Sequence, residues 1–435
     1  MNGAQDLINR NARPDQTGEL GTLGAFLPAE AHDSAQSDPP ASAQRRHVLI
    51  LAGDTDHNLG DRAILQATCA EIRAAHPGAA FTVISASRKR AHRAYGADAI
   101  PLGPRGFFQL CAAAARSDLI LCGGGGLFQD DDSLIKMPYW GLRVALMRLL
   151  NRRIIGYSLG VGPLDAASSR WFARLAFACM ERVAVRDPKA LRITRQLTGR
   201  PVELVPDPAL LLRPVEPEIA RQWLRDQGVT LDGRPLIGVA LRRWFPPRRR
   251  IVPNRISARF RRRSVTDEPE AQRLTTLLAQ VLDRIAEQQQ AEILFLPTYT
   301  LAHEGDDRIC QAVLAKMTSA TGRVLRIDDP TLYKGVAGEL SVLLGGRMHP
   351  TIFAAAAGTP VVGLAYNPKF HGFFTLLGLE DRVLDIATFL QLGQVDELAG
   401  LLAAAIKEGP RLGERIDALQ QDIRRFNSAL FKRDS

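Results

Sequence analysis

Short apolar runs alternate with longer amphipathic segments along most of the chain. Apolar runs of about four to eight residues that end at glycine or polar residues are typical of buried strands, and apolar positions at helical spacing are typical of helices. The runs that predict strands are HVLILAG, FTVISAS, DLILCGG, RIIGYSLG, PLIGVAL, EILFLPTY and VVGLAY. Because helical segments alternate with these strands, the pattern predicts an α/β fold with parallel sheets.

Residues 339–373 form the most clearly patterned unit, which predicts a strand, a turn, a short helix and a second strand. A glycine pair ends the first strand, and Pro350 fits the first turn of the helix. Arg347 and His349 therefore lie between a strand's carboxyl end and a helix's amino end. Open α/β sheets bind ligands at such positions, and free backbone N–H groups favour an anion there. Caps for nearby backbone groups are an equally good interpretation of the two residues taken alone.

The first half of the chain offers a second candidate edge. Asn58 and Asp61 follow the strand HVLILAG, and Asp61 is predicted to cap the next helix. Gly123 to Gly126 follow the strand DLILCGG, and they include Gly124 and Gly125, where missing side chains would let a substrate approach the backbone closely. The run matches neither a Walker loop nor a dinucleotide-binding fingerprint.

Three adjacent acids, Asp130, Asp131 and Asp132, come next. They could hold a divalent ion, but consecutive side chains do not converge without a special loop, so a solvated acidic turn is the preferred interpretation. No metal and no cofactor are expected.

In the second half, Arg242 ends the strand PLIGVAL, and Tyr299 ends EILFLPTY. Glu304 follows Tyr299, and Lys369 follows VVGLAY. We expect Arg242, Tyr299 and Lys369 to contact substrate at the carboxyl edge of a second sheet.

Amino-acid composition and the positions of prolines suggest the domain organisation. Residues 1–45 are rich in polar residues and proline without periodicity, which predicts a disordered tail. Four prolines between residues 206 and 217 precede a restart of the strand–helix alternation. We therefore predict an N-terminal Rossmann-like domain over 46–213, a C-terminal one over 214–410, and a C-terminal helix over 411–435 that returns to the first domain.

The positive charge is concentrated in one segment. The net charge is +10, and residues 242–263 contain ten arginines and no acid, which leaves 46 basic and 46 acidic residues elsewhere. This distribution does not resemble a general nucleic-acid binder, and nucleic acid is not an expected partner. No apolar run reaches the length of about 18 to 20 residues that spans a bilayer, and the N-terminus lacks a signal-peptide core, so we expect a cytoplasmic protein.

Three segments, HVLILAGDTDHNLGDRAI, LILCGGGGLFQD and LLGGRMHPTIFAAAAGTPVVGLAYNPKFHGF, together resemble the polysaccharide pyruvyl transferase family in order and spacing. The resemblance extends over about residues 47–410. It implies two Rossmann-like domains facing across a cleft, similar to GT-B glycosyltransferases. It also implies transfer of a pyruvyl unit from phosphoenolpyruvate to a glycan of a cell-surface or exopolysaccharide precursor, with release of phosphate.

The family's R-[LM]-H motif, which binds the donor and takes part in catalysis, corresponds to Arg347 and His349, and its arginine at the start of the second domain corresponds to Arg242. Two guanidinium groups can hold the phosphate and carboxylate of the donor. His349 is the expected general acid, and Asp61 and Glu304 are the candidate bases. Met348 replaces the usual leucine, a mild departure.

The arginine-rich insertion, residues 243–266, is a larger departure from the family and bears on the acceptor. We predict that Arg248 to Arg250 and Arg261 to Arg263 bring the enzyme to a lipid-linked, pyrophosphate-bearing glycan on the inner face of the cell membrane. A solvated flap is the alternative.

Two other functions compete with this prediction. A nucleotide-sugar glycosyltransferase of the same fold would need a ribose-binding acid after the helix that Gly358 ends, and no acid follows Gly358 until Glu380. A non-catalytic glycan- or membrane-binding module is the second alternative.

Overall fold

The computed structural model describes residues 45–53, 56–101, 103–131, 133–151, 153–242, 269–299, 305–319 and 321–432. Residues 1–44 of the predicted tail (1–45), the arginine-rich insertion (243–266) and Glu304 lie outside the described residues. Within the described ranges, no helix is both long enough and apolar enough to cross a membrane.

A seven-stranded parallel sheet forms the first half, in the order β3-β2-β1-β4-β5-β6-β7. Its strands are β1 (Arg46–Leu51), β2 (Ala79–Ile84), β3 (Ala97–Ile100), β4 (Leu119–Phe128), β5 (Ile154–Val161), β6 (Arg182–Val185) and β7 (Glu203–Leu204). Its helices are α1 (Leu59–Ala75), α2 (Arg88–Tyr95), α3 (Pro104–Arg116), α4 (Lys136–Leu150), α5 (Ala167–Ala178) and α6 (Pro188–Thr198). A 3-10 helix (Pro208–Leu211) and helix α7 (Pro217–Asp226) lead to the second sheet.

The second sheet has six parallel strands in the order β10-β9-β8-β11-β12-β13. Its strands are β8 (Leu236–Ala240), β9 (Glu292–Phe295), β10 (Gly322–Val324), β11 (Val342–Gly345), β12 (Val361–Ala365) and β13 (Val383–Asp385). The helices are α8 (Pro269–Gln289), α9 (Asp306–Leu314), α10 (Pro330–Gly338), α11 (Met348–Ala356), α12 (Pro368–Leu377), α13 (Ile386–Leu392), α14 (Val395–Glu408) and α15 (Gly413–Ser428), with a 3-10 turn (Glu380–Arg382) before β13. The predicted parallel α/β architecture is confirmed.

The central strands are apolar because both of their faces are covered by helices. All eight residues of β5 and all five of β8 are buried. Helices α3, α4 and α5 cover one face of the first sheet and share a core with β4 and β5. Helices α1 and α2 cover the opposite face, in a core that continues into α10, α11 and α15. The apolar core is therefore continuous between the two sheets on that side.

Helix α15 lies against the first sheet's helix α1. Asn427 of α15 accepts a hydrogen bond of 2.9 Å from the hydroxyl of Tyr157 on β5, and Arg424 pairs with Glu71 of α1 at 3.3 Å. The segment between the sheets is held by a buried lysine, Lys334 of α10, which donates to the carbonyl oxygen of Leu210 at 3.0 Å. These contacts fix the connection between the two halves.

Candidate active site

The predicted site residues come from the switch points of both sheets. A switch point is the place in a sheet where the strand order changes direction. It lies between β1 and β4 in the first sheet and between β8 and β11 in the second. Ligands bind at such points in open α/β sheets. Asp61 and the glycine run follow β1 and β4, and Arg242 and Arg347 follow β8 and β11.

The two switch points meet at His349. This residue is the second of α11, and its imidazole lies against Gly60 at the start of α1: a Cβ atom on Gly60 would come within 1.8 Å of Nδ1. A second contact crosses the same gap, because Nζ of Lys369 on α12 donates a hydrogen bond of 2.8 Å to Oε1 of Gln129, just after β4. The candidate site therefore combines side chains from both sheets.

His349 also faces a buried ion pair. Its Nε2 lies 3.9 Å from Oδ2 of Asp207, and the same carboxylate oxygen accepts a 3.0 Å hydrogen bond from Arg186. Arg186 directly follows β6, and Asp207 caps the 3-10 helix by accepting from the N–H of Ala209 at 3.0 Å. The cap and the arginine fix the orientation of Asp207, so one carboxylate oxygen is held toward the imidazole.

Burial is the main electrostatic influence on this imidazole. It lowers the pKa of His349 to about 4, against the opposing effect of the Asp207 carboxylate, while Arg186, Lys369 and Arg347 add to the lowering. Nε2 is buried and makes no hydrogen bond within the described part of the chain. At neutral pH the imidazole of His349 is therefore neutral, and an anion bound beside it would raise its pKa.

Arg347 occupies the N-cap position of α11, and its guanidinium is held by a carboxylate that sequence analysis did not identify. Nε of Arg347 donates to Asp306 at 2.9 Å, and Nη2 donates to the other oxygen of the same group. Asp306, the first residue of α9, is fully buried and also accepts from the N–H of Tyr299 at 3.0 Å. Tyr299 is itself buried, with its ring 5.8 Å from the guanidinium carbon of Arg347.

Arg242 stacks on an aromatic ring that was also missed. Its guanidinium carbon lies 4.4 Å from the ring centre of Tyr366, which directly follows β12. Burial opposes ionisation of the Tyr366 hydroxyl, but the charges of Arg242, Lys369 and Arg347 outweigh it, and the pKa of Tyr366 is lowered. The pKa of Lys369 is also lowered, mainly by burial, and the charges of Arg186 and Lys136 add to the lowering. The lowered pKa of Tyr366 reflects the positive charge at this edge of the second sheet.

In the first sheet, Asp61 lies beside the glycine run. A Cβ atom on Gly125 would come 2.8 Å from Oδ1 of Asp61, and Gly124 and Gly125 have φ values of +78° and +107° that side chains rarely adopt. The prediction that Asp61 caps α1 is wrong. Asn58 is the cap, and its side-chain oxygen accepts from the N–H of Gly60 at 3.0 Å, because the helix begins at Leu59 and places Asp61 inside its first turn.

The acidic run after the glycines has a structural contact. The carboxylate of Asp130 accepts from the N–H groups of Asp165 and Ala166 at 3.1 and 2.9 Å, which anchors the segment before α5. Asp132 lies outside the described residues. Among those that are described, no group of three His, Cys, Asp or Glu side chains could hold a metal ion.

The residues that sequence analysis missed share one signal. Arg186 and Tyr366 directly follow strands, and Asp207 and Gln129 lie within a few residues of strand ends. In a parallel sheet these positions belong to the ligand-binding edge. Asp306 carries no such signal, because it lies in a helix and its role depends on contact with Arg347.

Solved structures share this architecture at low sequence identity. UDP-GlcNAc 2-epimerase from Methanocaldococcus jannaschii matches with a TM-score of 0.53 and 11% identity, covering 88% of this chain and 98% of that one. A putative UDP-N-acetylglucosamine 2-epimerase from Listeria monocytogenes matches with a TM-score of 0.52 and 11% identity, covering 88% and 94%. E. coli ADP-heptose heptosyltransferase II matches with a TM-score of 0.46 and 15% identity, covering 82% and 99%. The predicted arrangement of two Rossmann-like units, similar to GT-B glycosyltransferases, is confirmed.

A search of curated proteins found no significant match. The family model described as polysaccharide pyruvyl transferase matches residues 58–368, which is more than two thirds of the chain. The matched region begins at the cap of α1, ends at the first residue of α12, and includes His349 with both arginines of the site. The chain therefore belongs to the polysaccharide pyruvyl transferase family.

Proposed function

We propose that the protein uses phosphoenolpyruvate as donor and forms a pyruvate ketal on a sugar of a cell-surface or exopolysaccharide precursor, with release of phosphate. The observation that carries this proposal is the position of His349, a proton-transfer group set between the two switch points and surrounded by cations. Family membership supplies the pyruvyl unit and the glycan acceptor.

The cations suit a donor with two anionic groups. Arg242 and Arg347 are held by Tyr366 and Asp306 respectively, so their planar guanidinium groups are oriented before the donor binds. A preorganised guanidinium loses less side-chain entropy on binding a carboxylate or phosphate. Lys369 adds a third positive charge beside Gln129.

In the proposed reaction, His349 protonates the methylene carbon of the donor. The π electrons of the enol form the new C–H bond, so the methylene carbon becomes a methyl group and C2 becomes an oxocarbenium-like centre, which one sugar hydroxyl attacks while losing its proton to a base. The second hydroxyl then attacks C2, loses its proton, and displaces phosphate with the electrons of the C2–O bond. The donor's negative charges favour the protonated imidazole, whereas burial of the ring by the protein disfavours it. Protonation of His349 is thereby coupled to donor binding.

A base must accept the hydroxyl protons. Asp61 is one candidate, because it lies beside the glycine run on the opposite side of the gap from the arginines. Glu304, the other candidate, lies outside the described residues. Asn58, Gly124 and Gly125 are the proposed contacts for the acceptor on this side, and Tyr299 supports the donor side by packing beneath Arg347.

Donor binding in this crevice requires movement. The crevice lined by Arg186, Asp207, Met348 and Lys369 has a cavity volume of about 10 Å³, roughly the space that a single water molecule needs and far less than the donor needs. We expect the Lys369–Gln129 contact to break when the donor enters.

The acceptor is proposed to be a lipid-linked glycan at the inner face of the cell membrane. The arginine-rich insertion is proposed to assist by contacting anionic lipid or the acceptor's pyrophosphate, through Arg248, Arg249, Arg250, Arg261, Arg262 and Arg263. Each basic residue near an anionic surface contributes about 1 kcal/mol at low salt.

Two measurements test the proposed function. Phosphate release should require both phosphoenolpyruvate and a glycan-containing membrane extract. Millimolar phosphoenolpyruvate should raise the melting temperature, because a ligand that binds only the folded state stabilises it. Stabilisation by a nucleotide-sugar but not by phosphoenolpyruvate would instead assign the site to a glycosyltransferase. If neither ligand stabilises the protein and no phosphate is released, the result would favour a non-catalytic binding module.

A further inference from the structure

The outer surface of helices α3, α4 and α5, here called the α3–α5 face, carries most of the exposed large apolar side chains of the described residues. Ten such side chains are exposed, and eight belong to this face or to the residue just before α4. The eight are Phe107, Phe108, Ile135, Tyr139, Leu142, Leu149, Leu150 and Trp171. Phe108 is 74% exposed and Leu149 is 84% exposed, so they contribute little to the core beneath.

The charge on the same three helices has one sign. They contain seven basic residues and no acidic residue. The basic residues are Arg105, Arg116, Lys136, Arg143, Arg148, Arg170 and Arg174. By contrast, helices α7 and α15 each carry both acids and bases. The absence of acids is therefore a property of this layer and not of the whole surface.

The three helices form one continuous layer. Gly141 of α4 allows close contact with α5, since a Cβ atom there would lie 2.8 Å from the carbonyl oxygen of Phe172. Arg143 extends along the surface over the rings of Tyr139 and Trp140, at 5.5 and 5.4 Å from their centres. Trp140 is buried, so at the surface the partly exposed Arg143 lies beside the exposed ring of Tyr139.

We propose that the α3–α5 face docks the protein on an anionic lipid bilayer. Aromatic and aliphatic side chains enter the headgroup region, and the surrounding arginines and lysine contact anionic headgroups, as on an amphipathic surface that lies in the membrane interface. These helices are separate in sequence from the arginine-rich insertion, and the inference does not depend on the proposed reaction.

Charge complementarity favours a bilayer over a second copy of the chain. Self-association across a two-fold axis would bring two acid-free faces together, and like charges would repel. An anionic bilayer supplies the missing negative charge and also accepts the apolar side chains. A nucleic acid would satisfy the charges but not the exposed leucines.

The position of the face also relates it to the candidate site. Helices of a parallel α/β sheet run opposite to the strands, so the amino-terminal halves of α3, α4 and α5 lie at the carboxyl edge of the first sheet. Phe107, Phe108, Tyr139 and Trp171 are all in these halves. Docking would therefore hold the membrane beside the edge that carries the glycine run.

Vesicle co-sedimentation tests the proposal with the full chain. The wild type should partition more strongly onto vesicles of phosphatidylglycerol and phosphatidylcholine than onto phosphatidylcholine alone, and the difference should shrink at high salt. The triple variant Arg105→Ser, Arg170→Ser and Arg174→Ser should lose about a hundredfold in partitioning, at about fivefold for each charge. The triple variant Phe108→Ser, Leu142→Ser and Trp171→Ser should also partition at least about tenfold less.

The matched control is Leu392→Ser with Arg411→Ser and Arg425→Ser, because these side chains are exposed elsewhere: Leu392 is 65%, Arg411 is 68% and Arg425 is 77% exposed. It should partition much as the wild type does. All of these variants retain the arginine-rich insertion, so binding through that segment alone would leave the α3–α5 variants equal to the wild type and would overturn the proposal.

Two further results would also overturn it. One is a wild type that does not bind anionic vesicles. The other is a concentration-dependent dimer that the α3–α5 substitutions dissociate, without any effect on vesicle binding. Phosphate release from phosphoenolpyruvate with a water-soluble acceptor, measured on the same variants, tests the proposed reaction separately. Loss of that activity would leave the docking result standing.

Discussion

The imidazole of His349 fills the space that a side chain on Gly60 would occupy. A Cβ atom at Gly60 would lie 1.8 Å from Nδ1 and 2.1 Å from Cγ of His349. Gly60 is the second residue of the first helix of the first sheet, and His349 is the second residue of a helix of the second. The absence of one side chain therefore permits the two switch points to meet.

Gly60→Ala should displace His349 and reduce phosphate release by about a hundredfold or more, because a shift of about 1 Å in a catalytic group can have that effect. Steady-state kinetics with phosphoenolpyruvate measure it. The matched control is Gly400→Ala in α14, where a Cβ atom would meet nothing within 4 Å. Near-normal turnover in Gly60→Ala would show that the position of His349 does not limit the reaction.

His349→Ala should reduce phosphate release by a factor of about 10² to 10⁴, the usual contribution of general acid–base catalysis, and leave donor affinity within a few fold. Calorimetry and single-turnover kinetics separate the two effects. His371→Ala is the control, since His371 is on α12, its side chain is 41% exposed, and its Nε2 lies 3.1 Å from the exposed carboxylate of Asp385. The acid role would be excluded by a His349→Ala enzyme with unchanged turnover.

Stability should depend on pH through His349. The pKa of His349 is about 4 in the folded protein and about 6.5 in the unfolded chain, so the unfolded state binds the proton more readily. The contribution of neutral His349 to the free energy of unfolding should thus be fully present above about pH 6.5. The free energy of unfolding should fall by about 3 kcal/mol as the pH decreases to about 4.

Urea unfolding of the wild type and His349→Gln at a series of pH values isolates this contribution, because other titrating groups are shared. The glutamine variant should show a shallower acid loss, and identical curves would contradict the low pKa. In an NMR titration, phosphoenolpyruvate should raise the pKa of His349, since a bound anion favours the imidazolium.

The pair of Asp306 and Arg347 should be important for stability as well as for orientation. Asp306 is fully buried and the side chain of Arg347 is 15% exposed, so Asp306→Ala leaves a buried charge without its carboxylate. We expect a loss of about 3 to 5 kcal/mol in the free energy of unfolding. Asp232→Ala removes the carboxylate of an exposed pair with Arg234 and should change little. Comparable denaturation midpoints for the two variants would refute the buried-pair argument.

Much of the fold could be predicted from local pattern. The apolar runs that end at glycine or polar residues predict β8, β11 and β12, because a buried parallel strand must be apolar on both faces. The glycine pair before Arg347 and the helix-starting Pro350 likewise placed Arg347 and His349 at a strand's carboxyl end, because that position depends only on where the neighbouring strand ends and the helix begins. The exact start of α1 was harder to predict, because Asn58 and Asp61 both suit a cap and a shift of three residues separates the two possible starts.

The sequence by itself determined the alternation of strands and helices, the parallel sheets and the edge position of Arg242, Arg347 and His349, because these follow from periodicity and chain direction. Only the tertiary structure decided which side chains meet. Asp306 with Arg347, Asp207 with His349 and Lys369 with Gln129 are far apart in the chain, and no local pattern encodes their distances. The low pKa of His349 belongs to the same category, because desolvation depends on what the folded protein packs around the imidazole.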